Sequence, residues 1–379
     1  MIIDCQLKLS SFFADIYVIL TDFYFTFSAC PGTFKGAQPT GAESKKNSHY
    51  KMGKLKNSIV VTGGAGFIGS HLCEYLLAKN HNIIVVDDLS TGSISNIKPL
   101  LSNKKFKFIE GSVRNPDLMN DVIADCRCVY HLAAAVGVNL IVEKPVHTIE
   151  TNIGGTEVVL AAANRFGKKV LITSTSEVYG KNEKIPFNED DDTVLGSTKF
   201  SRWSYACSKA IDEFLAFAYH RQYNLPVVIV RLFNTIGIRQ TGSYGMVVPR
   251  FIDWAVKNEP IMIYGSGKQS RSFTYISDVI GAMTALMELD AANGEVFNIG
   301  SNEQITIEDL ADKIIEKTNS KSEKKYIPYS VAYGKGFDDM QKRLPSLKKI
   351  GSAIGYKPQV SLDKALAAII DSKLNLKKG

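Results

Sequence analysis

Short apolar runs rich in β-branched residues alternate with segments of helical spacing along most of this chain. The segments between the runs, such as GSHLCEYLLAKN and GGTEVVLAAANRFG, have the spacing of amphipathic helices. Strands that are apolar throughout are typical of parallel sheets covered by helices on both faces. The alternation predicts an α/β fold built on a doubly wound parallel Rossmann sheet. The six expected strands are Ser58–Gly64, Asn82–Asp88, Lys105–Gly111, Cys128–Ala134, Lys169–Ser176 and Pro226–Asn234.

The length of 379 residues allows a nucleotide-binding domain with a smaller companion. The alternating pattern follows Met52, so we expect residues 52–233 to form the nucleotide-binding Rossmann domain. Residues 234–379 mix short strands with helices, and we expect them to form a smaller, mainly substrate-binding α/β domain that returns one strand to the sheet. The cleft between the two domains is the expected ligand site.

The first 51 residues differ in character from the rest of the chain. Their apolar stretch, residues 11–27, is interrupted by Asp15 and Asp22, and no basic region precedes it. It therefore makes a poor signal peptide and a poor membrane span. We expect residues 1–51 to lie outside the folded unit and expect no stable insertion into a membrane.

The net charge and the cysteine content limit the kinds of molecule and metal that the protein is expected to bind. The net charge is +7, but the lysines are dispersed, so we expect no nucleic-acid partner and only a weak preference for anionic small molecules. The six cysteines show no paired spacing and no neighbouring histidine cluster. This pattern favours reduced thiols in a cytoplasmic protein and no metal site.

A glycine-rich turn follows the first expected strand. In GGAGFIG, the glycines Gly63, Gly66 and Gly69 are spaced as GxxGxxG, and Phe67 and Ile68 stand between the last two. Glycine permits the tight turn and the approach of backbone amides to a pyrophosphate, which a helix N-terminus then attracts. Glycines at such turns also occur for packing alone. All five residues are candidate cofactor contacts.

The second expected strand ends in two aspartates. Asp87 lies 18 residues after Gly69, where a carboxylate can accept hydrogen bonds from both ribose hydroxyls of a dinucleotide. A carboxylate there disfavours the 2′-phosphate of NADP, so NAD is the predicted cofactor. Asp88 is a second candidate contact, although we expect it to be a solvated neighbour.

Tyr205 and Lys209 are four residues apart in SYACSK, which places them on one face of a helix. An ammonium and a nicotinamide cation near a tyrosine lower the pKa of its phenol, so that the phenolate can act as a base near neutral pH. The same pair could stand on an ordinary amphipathic surface helix. Together with the glycine turn and the hydroxyl residues of Thr173–Ser176, the pair favours catalysis.

The chain from Ser58 to about Ile370 resembles the extended short-chain dehydrogenase/reductase family, in its group of nucleotide-sugar epimerases, dehydratases and decarboxylases. The blocks that carry the resemblance are VTGGAGFIGSHL, HLAAAVGV, TNIGGT, STSEVYG, YACSK, RLFNTIG, YGSGKQSRSFTYISDV and FNIGS. The resemblance implies NAD as cofactor, a nucleotide sugar as substrate, and oxidation of the sugar at C4. By the same resemblance, Thr175 orients the C4 oxygen, Tyr205 is the base and Lys209 supports it.

Two blocks, one of them in the list above, resemble the UDP-glucuronate decarboxylases. STSEVYG has Ser176 and Glu177 where dehydratases of the family have aspartate and glutamate, and the resemblance implies that these two residues manage protons at C5. YGKGFDDMQKRLPS resembles a segment in which an arginine, here Arg343, acts at the sugar carboxyl. As structural alternatives, Glu177 could brace its loop and Arg343 could belong to a solvated basic face.

The resemblance also implies which residues bind the nucleotide part of the substrate. Asn234 and Arg271 match family positions that contact the nucleotide diphosphate, and a guanidinium suits that forked recognition. The family forms dimers through two helices of each subunit, so a homodimer is expected here, with Ala161, Ala162 and Ala163 permitting close packing.

The leading functional prediction is decarboxylation of UDP-glucuronate. The first alternative keeps the carboxyl group and reduces the 4-keto sugar from its other face, which makes the protein a UDP-sugar 4-epimerase. A nucleotide-sugar 4,6-dehydratase ranks third because Ser176 has no acid function. An NAD-sensing regulator without catalysis is the alternative from another class, and the presence of both Tyr205 and Lys209 argues against it.

Overall fold

A computed structural model describes residues 55–137, 143–243, 245–332, 340 and 342–376. Its helices are α1 (Phe67–Ala78), α2 (Pro116–Ile123), α3 (Pro145–Phe166), α4 (Arg202–Tyr223), α5 (Val247–Lys257), α6 (Ile276–Glu288), α7 (Ile307–Thr318), α8 (Tyr329–Ala332), α9 (Lys348–Ile354) and α10 (Leu362–Leu376). The strands β1 to β7 are Ser58–Thr62, Ile83–Asp87, Phe106–Glu110, Cys126–His131, Lys169–Thr175, Val227–Leu232 and Thr235–Ile236. The strands β8 to β14 are Ile261–Tyr264, Ser270–Ser272, Thr274–Tyr275, Glu295–Ile299, Gln304–Thr306, Lys324–Ile327 and Lys342–Arg343.

Seven parallel strands form the main sheet, in the order β11-β6-β5-β4-β1-β2-β3. The predicted fold class is confirmed, and the six predicted strands are all present with ends shifted by up to three residues. The order reverses beside β1, because β2 lies on one side of it and β4 on the other. In such sheets ligands bind outside the carboxyl ends of the strands at this reversal. The seventh strand, β11, comes from the C-terminal part of the chain.

The sheet is buried between helices because its strands are apolar on both faces. On one face, α1 and α6 contribute Leu72, Leu76, Met283 and Leu286 to the cluster that covers β1, β2 and β5. On the other, α2 contacts β4, α4 contacts β5, and α3 and α4 pack against each other. A separate cluster joins β8 to α5, α7 and α10 through residues such as Ile263. The C-terminal elements therefore have a core of their own.

The N-terminal segment 1–51, with its apolar stretch, lies outside the described residues. Within the described part of the chain, no helix is long and apolar enough to cross a bilayer. Likewise, the described histidine, cysteine, aspartate and glutamate side chains form no group of three that could hold a metal ion.

A buried polar network stands behind the end of β5. Arg231 of β6 donates to both carboxylate oxygens of Glu213 on α4, with the shortest distance 2.8 Å from Nη2 to Oε2. The guanidinium lies 4.8 Å from the centre of the Tyr179 ring, and the Tyr179 hydroxyl donates to Asn298 of β11 at 2.8 Å. The Ser174 hydroxyl also donates to Glu213. The network ties α4, β5, β6 and β11 to one another.

Loss of the Glu213 carboxylate should destabilise the fold strongly. The Arg231 and Glu213 side chains are only 9% and 8% exposed, so Glu213→Ala leaves a buried cation without its partner. We expect the free energy of unfolding, measured in urea, to fall by about 3 kcal/mol. The exposed pair of Arg127 and Glu288 is the control, and Glu288→Ala should change stability by less than about 0.5 kcal/mol. Equal effects of the two substitutions would contradict this.

Candidate active site

The glycine turn joins β1 to the N-terminus of α1. Gly63 has φ +68°, and a Cβ there would lie 2.7 Å from the backbone nitrogen of Ala133. A Cβ on Gly69 would lie 2.2 Å from the carbonyl oxygen of Gly63, so both positions require glycine. Gly66 is the N-cap of α1, and its side of the turn is open to the cleft. The helix N-terminus with its free amides thus faces the cleft, as binding of a pyrophosphate requires.

Asp87 is the last residue of β2 and is 7% exposed. Its carboxylate accepts hydrogen bonds from the amides of Ala65, at 2.9 Å, and Leu89, at 2.8 Å. Burial raises the pKa of Asp87, and these two hydrogen bonds oppose the rise. Asp88 is exposed, and its carboxylate accepts only the amide of Ser90 among the described contacts. Asp87 is therefore the aspartate held rigidly toward the cleft.

A cavity of about 450 Å³ extends from the glycine turn to α4. A dinucleotide fits this lining, because the turn residues lie at one end, Asp87 and Asp88 beside them, and Tyr205 and Lys209 at the other end. The predicted cofactor contacts in its wall are Gly63, Gly66, Phe67, Ile68, Gly69, Asp87 and Asp88. The residues of this cavity are thus those that would hold NAD.

Tyr205 and Lys209 lie one turn apart on α4, and both line the cavity. They are 8% and 2% exposed. The Lys209 ammonium donates to Asp212 at 2.7 Å, and the Asp212 side chain is fully buried. The ion pair therefore fixes the position of Lys209 in the wall of the cavity, where its aliphatic chain is buried.

The residues Thr175, Ser176 and Glu177 lie where β5 ends and a short 3₁₀ turn begins. The Thr175 hydroxyl accepts the amide of Glu177 at 3.3 Å and caps the turn. Ser176 is 1% exposed and lines the same cavity. Glu177 forms an ion pair with Arg343, whose Nη1 lies 3.3 Å from Glu177 Oε1. These two predicted catalytic residues are 166 positions apart in the chain.

A second cavity of about 220 Å³ adjoins the first and contains Asn234, Arg271 and Arg343 in its wall. Arg271 of β9 and Arg343 of β14 are direct partners in neighbouring parallel strands, and they are 7% and 8% exposed. Arg250 contributes a third guanidinium, and Glu177 is the carboxylate of this wall. The second cavity is therefore suited to an anionic ligand.

The two cavities meet at Tyr205, Glu177, Asn234 and Arg343, which line both of them. A ligand in one cavity and a ligand in the other would approach each other at Tyr205. This placement brings together the predicted residues of cofactor, substrate and chemistry. The block around Arg343 is only partly described, since residues 333–339 and 341 fall outside the described ranges.

Sequence reasoning missed several residues of this region. Arg250 and Tyr264 line the second cavity, where the Arg250 guanidinium lies 4.7 Å from the Tyr264 ring centre. Asn152 of α3 binds the backbone of Ala135 and donates to Ser208 of α4, at 3.1 Å. These residues have no fixed spacing in the sequence relative to the motifs that predicted the site. The Asn within TNIGGT was the one signal in the sequence that could have drawn attention to Asn152.

Comparison with known proteins assigns the family. A family model described as GDP-mannose 4,6 dehydratase matches residues 60–369. The chain belongs to this family. The extended short-chain dehydrogenase/reductase resemblance is thereby confirmed.

Two curated relatives are decarboxylases. A UDP-N-acetyl-alpha-D-glucosaminuronate decarboxylase of Bacillus cytotoxicus is 40% identical over 317 residues, covering 83% of this chain and 97% of that protein. UDP-glucuronic acid decarboxylase 1 of Arabidopsis thaliana is 35% identical, covering 86% of this chain and 71% of that protein. The predicted likeness to decarboxylases is confirmed. Among solved structures, the UDP-glucuronic acid 4-epimerase of Bacillus cereus, in complex with UDP-glucuronic acid and NAD, matches with TM-score 0.76 and 32% identity, over 84% of this chain and 99% of that chain.

Asp87 is buried and Asp88 is exposed, and this difference gives a test of the cofactor cavity. Asp87→Asn removes a rigidly held charged acceptor, and we expect the Kd for NAD to rise about tenfold and the preference over NADP to shrink. Asp88→Asn should change the Kd by less than about twofold because that carboxylate is solvated. Calorimetric titration of protein freed of copurified nucleotide measures both values. A larger effect at Asp88 would show that the assignment is wrong.

Proposed function

We propose that this protein is an NAD-dependent decarboxylase of a UDP-hexuronate, with UDP-glucuronate as the leading substrate. The observation that carries the proposal is the Glu177–Arg343 ion pair, which lies beside Tyr205 where the two cavities meet. An arginine at that point can bind the sugar's carboxylate while the tyrosine acts at C4. The decarboxylase relatives support the same reaction.

The N-acetylated sugar is a second candidate substrate. The Bacillus cytotoxicus relative, whose name specifies UDP-N-acetyl-glucosaminuronate, is more similar to this chain than the Arabidopsis relative that acts on UDP-glucuronic acid. The two sugars differ at C2 and share the carboxyl group, C4 and the nucleotide. The same catalytic residues therefore serve either substrate.

The glycine turn and Asp87 are the residues that would hold NAD, and Asn234 and Arg271 are those that would contact the nucleotide diphosphate. NAD bound there would supply a hydride acceptor for C4 that can also return the hydride, so the overall reaction would be redox-neutral. Tyr205 takes the C4 hydroxyl proton, and Thr175 donates a hydrogen bond that orients the C4 oxygen. The Lys209 ammonium stabilises the phenolate form of Tyr205.

Decarboxylation follows from the chemistry of the 4-keto sugar. Its C6 carboxylate is β to the ketone, so the C5–C6 bond can break with its electron pair flowing into the carbonyl. Carbon dioxide leaves, and an enolate remains across C4 and C5. Arg343 positions the carboxylate and then faces the enolate charge, as a preorganised cation stabilises developing negative charge. Glu177 or Ser176 transfers the proton that C5 must gain.

The alternatives differ in what happens to the 4-keto sugar. A 4-epimerase would return the hydride to the opposite face without losing the carboxyl group, and a solved relative has this activity in its name. A 4,6-dehydratase would need an acid where Ser176 stands. An NAD-sensing regulator would bind NAD without converting any nucleotide sugar.

Incubation with NAD and each of the two UDP-hexuronates separates these reactions. We expect the product to be 44 mass units lighter, the mass of one carbon dioxide, when read by mass spectrometry, with its C4 configuration assigned by proton NMR. An unchanged mass with an inverted C4 signal would establish an epimerase instead. Stable NAD binding with no conversion of these or other nucleotide sugars would support the regulator.

Arg343→Ala should separate the two halves of the reaction. Without the guanidinium, we expect carbon dioxide release to slow by about 100-fold, while oxidation at C4 continues and is visible as absorbance at 340 nm. Lys342→Ala is the matched control, because Lys342 is the exposed neighbour on the same short strand. Equal losses of both steps in Arg343→Ala would remove Arg343 from the decarboxylation step.

We also propose the domain division at about residue 233, a cytoplasmic location and a homodimer. The four described cysteines are free thiols, which suits a reducing compartment.

Support for the dimer comes from α4, where Cys207, Ile211, Phe214 and Ala218 form an exposed stripe at helical spacing, with Phe214 75% exposed. The adjacent helix α3 exposes Val146 and Ile149. Two such helix pairs can bury these side chains against each other.

Phe214→Glu should convert the dimer to a monomer, because it places a charge in the centre of the exposed stripe. Sedimentation velocity at micromolar concentration measures the change. Leu101→Glu, at an exposed apolar residue away from α3 and α4, is the control and should leave the dimer intact. A wild-type protein that sediments as a monomer would rule out the dimer directly.

A further inference from the structure

A buried chain of polar side chains lies behind Lys209. Lys209 and Asp212, the pair at 2.7 Å, have side chains that are 3% and 0% exposed. Asp212 Oδ1, the carboxylate oxygen that Lys209 does not contact, has no hydrogen-bond partner among the described residues. On α3, the Thr156 hydroxyl opposes the rise that burial causes in the pKa of Asp212, and Thr156 Oγ1 is 3.2 Å from His131 Nε2. His131 Nδ1 is 2.8 Å from Thr62 Oγ1. The mechanism above uses none of the residues behind Lys209.

The direction of each hydrogen bond in this chain can be deduced from its far end. Thr62 Oγ1 accepts the amides of Leu132 and Ala133, each at 3.2 Å, which occupies its two lone pairs. Its own proton is therefore donated to His131 Nδ1. Burial and the Lys209 charge lower the pKa of His131 to about 3, so the ring is neutral and carries its one proton on Nε2.

The rest of the chain follows from the neutral ring. His131 Nε2 donates to Thr156 Oγ1. Burial raises the pKa of Asp212, and Lys209 and Thr156 both oppose that rise. Asp212 is therefore a fully buried partner for the Lys209 ammonium.

We propose that Asp212 is a positioning residue, which keeps Lys209 charged and in place one helical turn from Tyr205. An ammonium has three donors, and Asp212 takes one of them, which leaves two to face the cavity. Without the carboxylate, a lysine buried to this degree favours its neutral amine. A neutral amine gives no charge support to the Tyr205 phenolate. The inference rests on the proposed function only for the role of Tyr205 as the base.

The other titratable groups around the pair are Glu213, His131 and Tyr205. Glu213 lies next to Asp212 on α4 and raises the pKa of Asp212, but its carboxylate is occupied by Arg231. His131 approaches from β4 as a neutral ring, and Tyr205 is one turn away on the same helix. Asp212 is thus the one carboxylate among these groups that contacts the Lys209 ammonium directly.

The pH dependence of turnover tests the role. In Asp212→Asn, we expect the alkaline fall of kcat to begin about two pH units lower than in wild type, with KM changed less than about threefold. Asp212→Glu keeps a carboxylate at this position and should leave the fall within about one unit of that of wild type. Glu288→Gln, an exposed carboxylate on α6, should leave the profile unchanged. A profile of Asp212→Asn that differs from wild type only by a constant factor would overturn the proposal.

A second measurement does not depend on activity. In protein labelled with ¹³C at the lysine Cε, with Lys209→Arg used to assign the signal, the neutral amine of Lys209 should appear at lower pH in Asp212→Asn than in wild type. The same titration curve in both proteins would overturn the proposal even if turnover had changed. If wild type converts no UDP-hexuronate but the two titrations differ, the positioning role stands and the proposed function fails. If Asp212→Asn does not fold, Asp212→Ser takes its place, and an unshifted Lys209 signal in that variant overturns the proposal.

Discussion

The parallel alignment of the central strands is the constraint on which the rest of the site depends. Because β1, β2, β4 and β5 run in one direction, Gly63, Asp87, Ala133 and Thr175 all follow or end strands at the same edge of the sheet. The close approach of Gly63 to the backbone of Ala133 shows how tightly two of these strand ends are packed. A cofactor cavity forms there because the strand order reverses beside β1 and the flanking connections diverge.

Helix α4 carries both residues of the proposed catalytic site and residues that stabilise the fold. Tyr205 and Lys209 face the cavity, whereas Asp212 and Glu213 face the buried side and hold a lysine and an arginine respectively. Buried charges of this kind are costly unless paired, so the helix is held in one position by the partners of Glu213 on two strands, Ser174 of β5 and Arg231 of β6. That rigidity is what a base needs if its distance from a bound sugar is to be constant.

The two cavities are built in different ways. The cofactor cavity depends on backbone, since glycines, a helix N-terminus and two amides at Asp87 shape it. The substrate cavity depends on guanidinium groups from strands far apart in sequence, Arg271 on β9 and Arg343 on β14. A glycine turn can be recognised locally, whereas two arginines become neighbours only when their strands pair. The substrate side of such an enzyme is therefore harder to recognise in a sequence than the cofactor side.

The sequence by itself determined the sheet, the glycine turn, Asp87 and the helical spacing of Tyr205 and Lys209, because each depends on contacts between residues close along the chain. It also determined the family, through blocks such as STSEVYG and YACSK. Only the tertiary structure decided that Glu177 meets Arg343 and that Lys209 meets a buried Asp212. The same holds for the hydrogen-bond chain from Thr62 through His131 to Thr156. Its members come from two strands and one helix, and no local pattern encodes which buried polar groups will satisfy one another once the chain has folded.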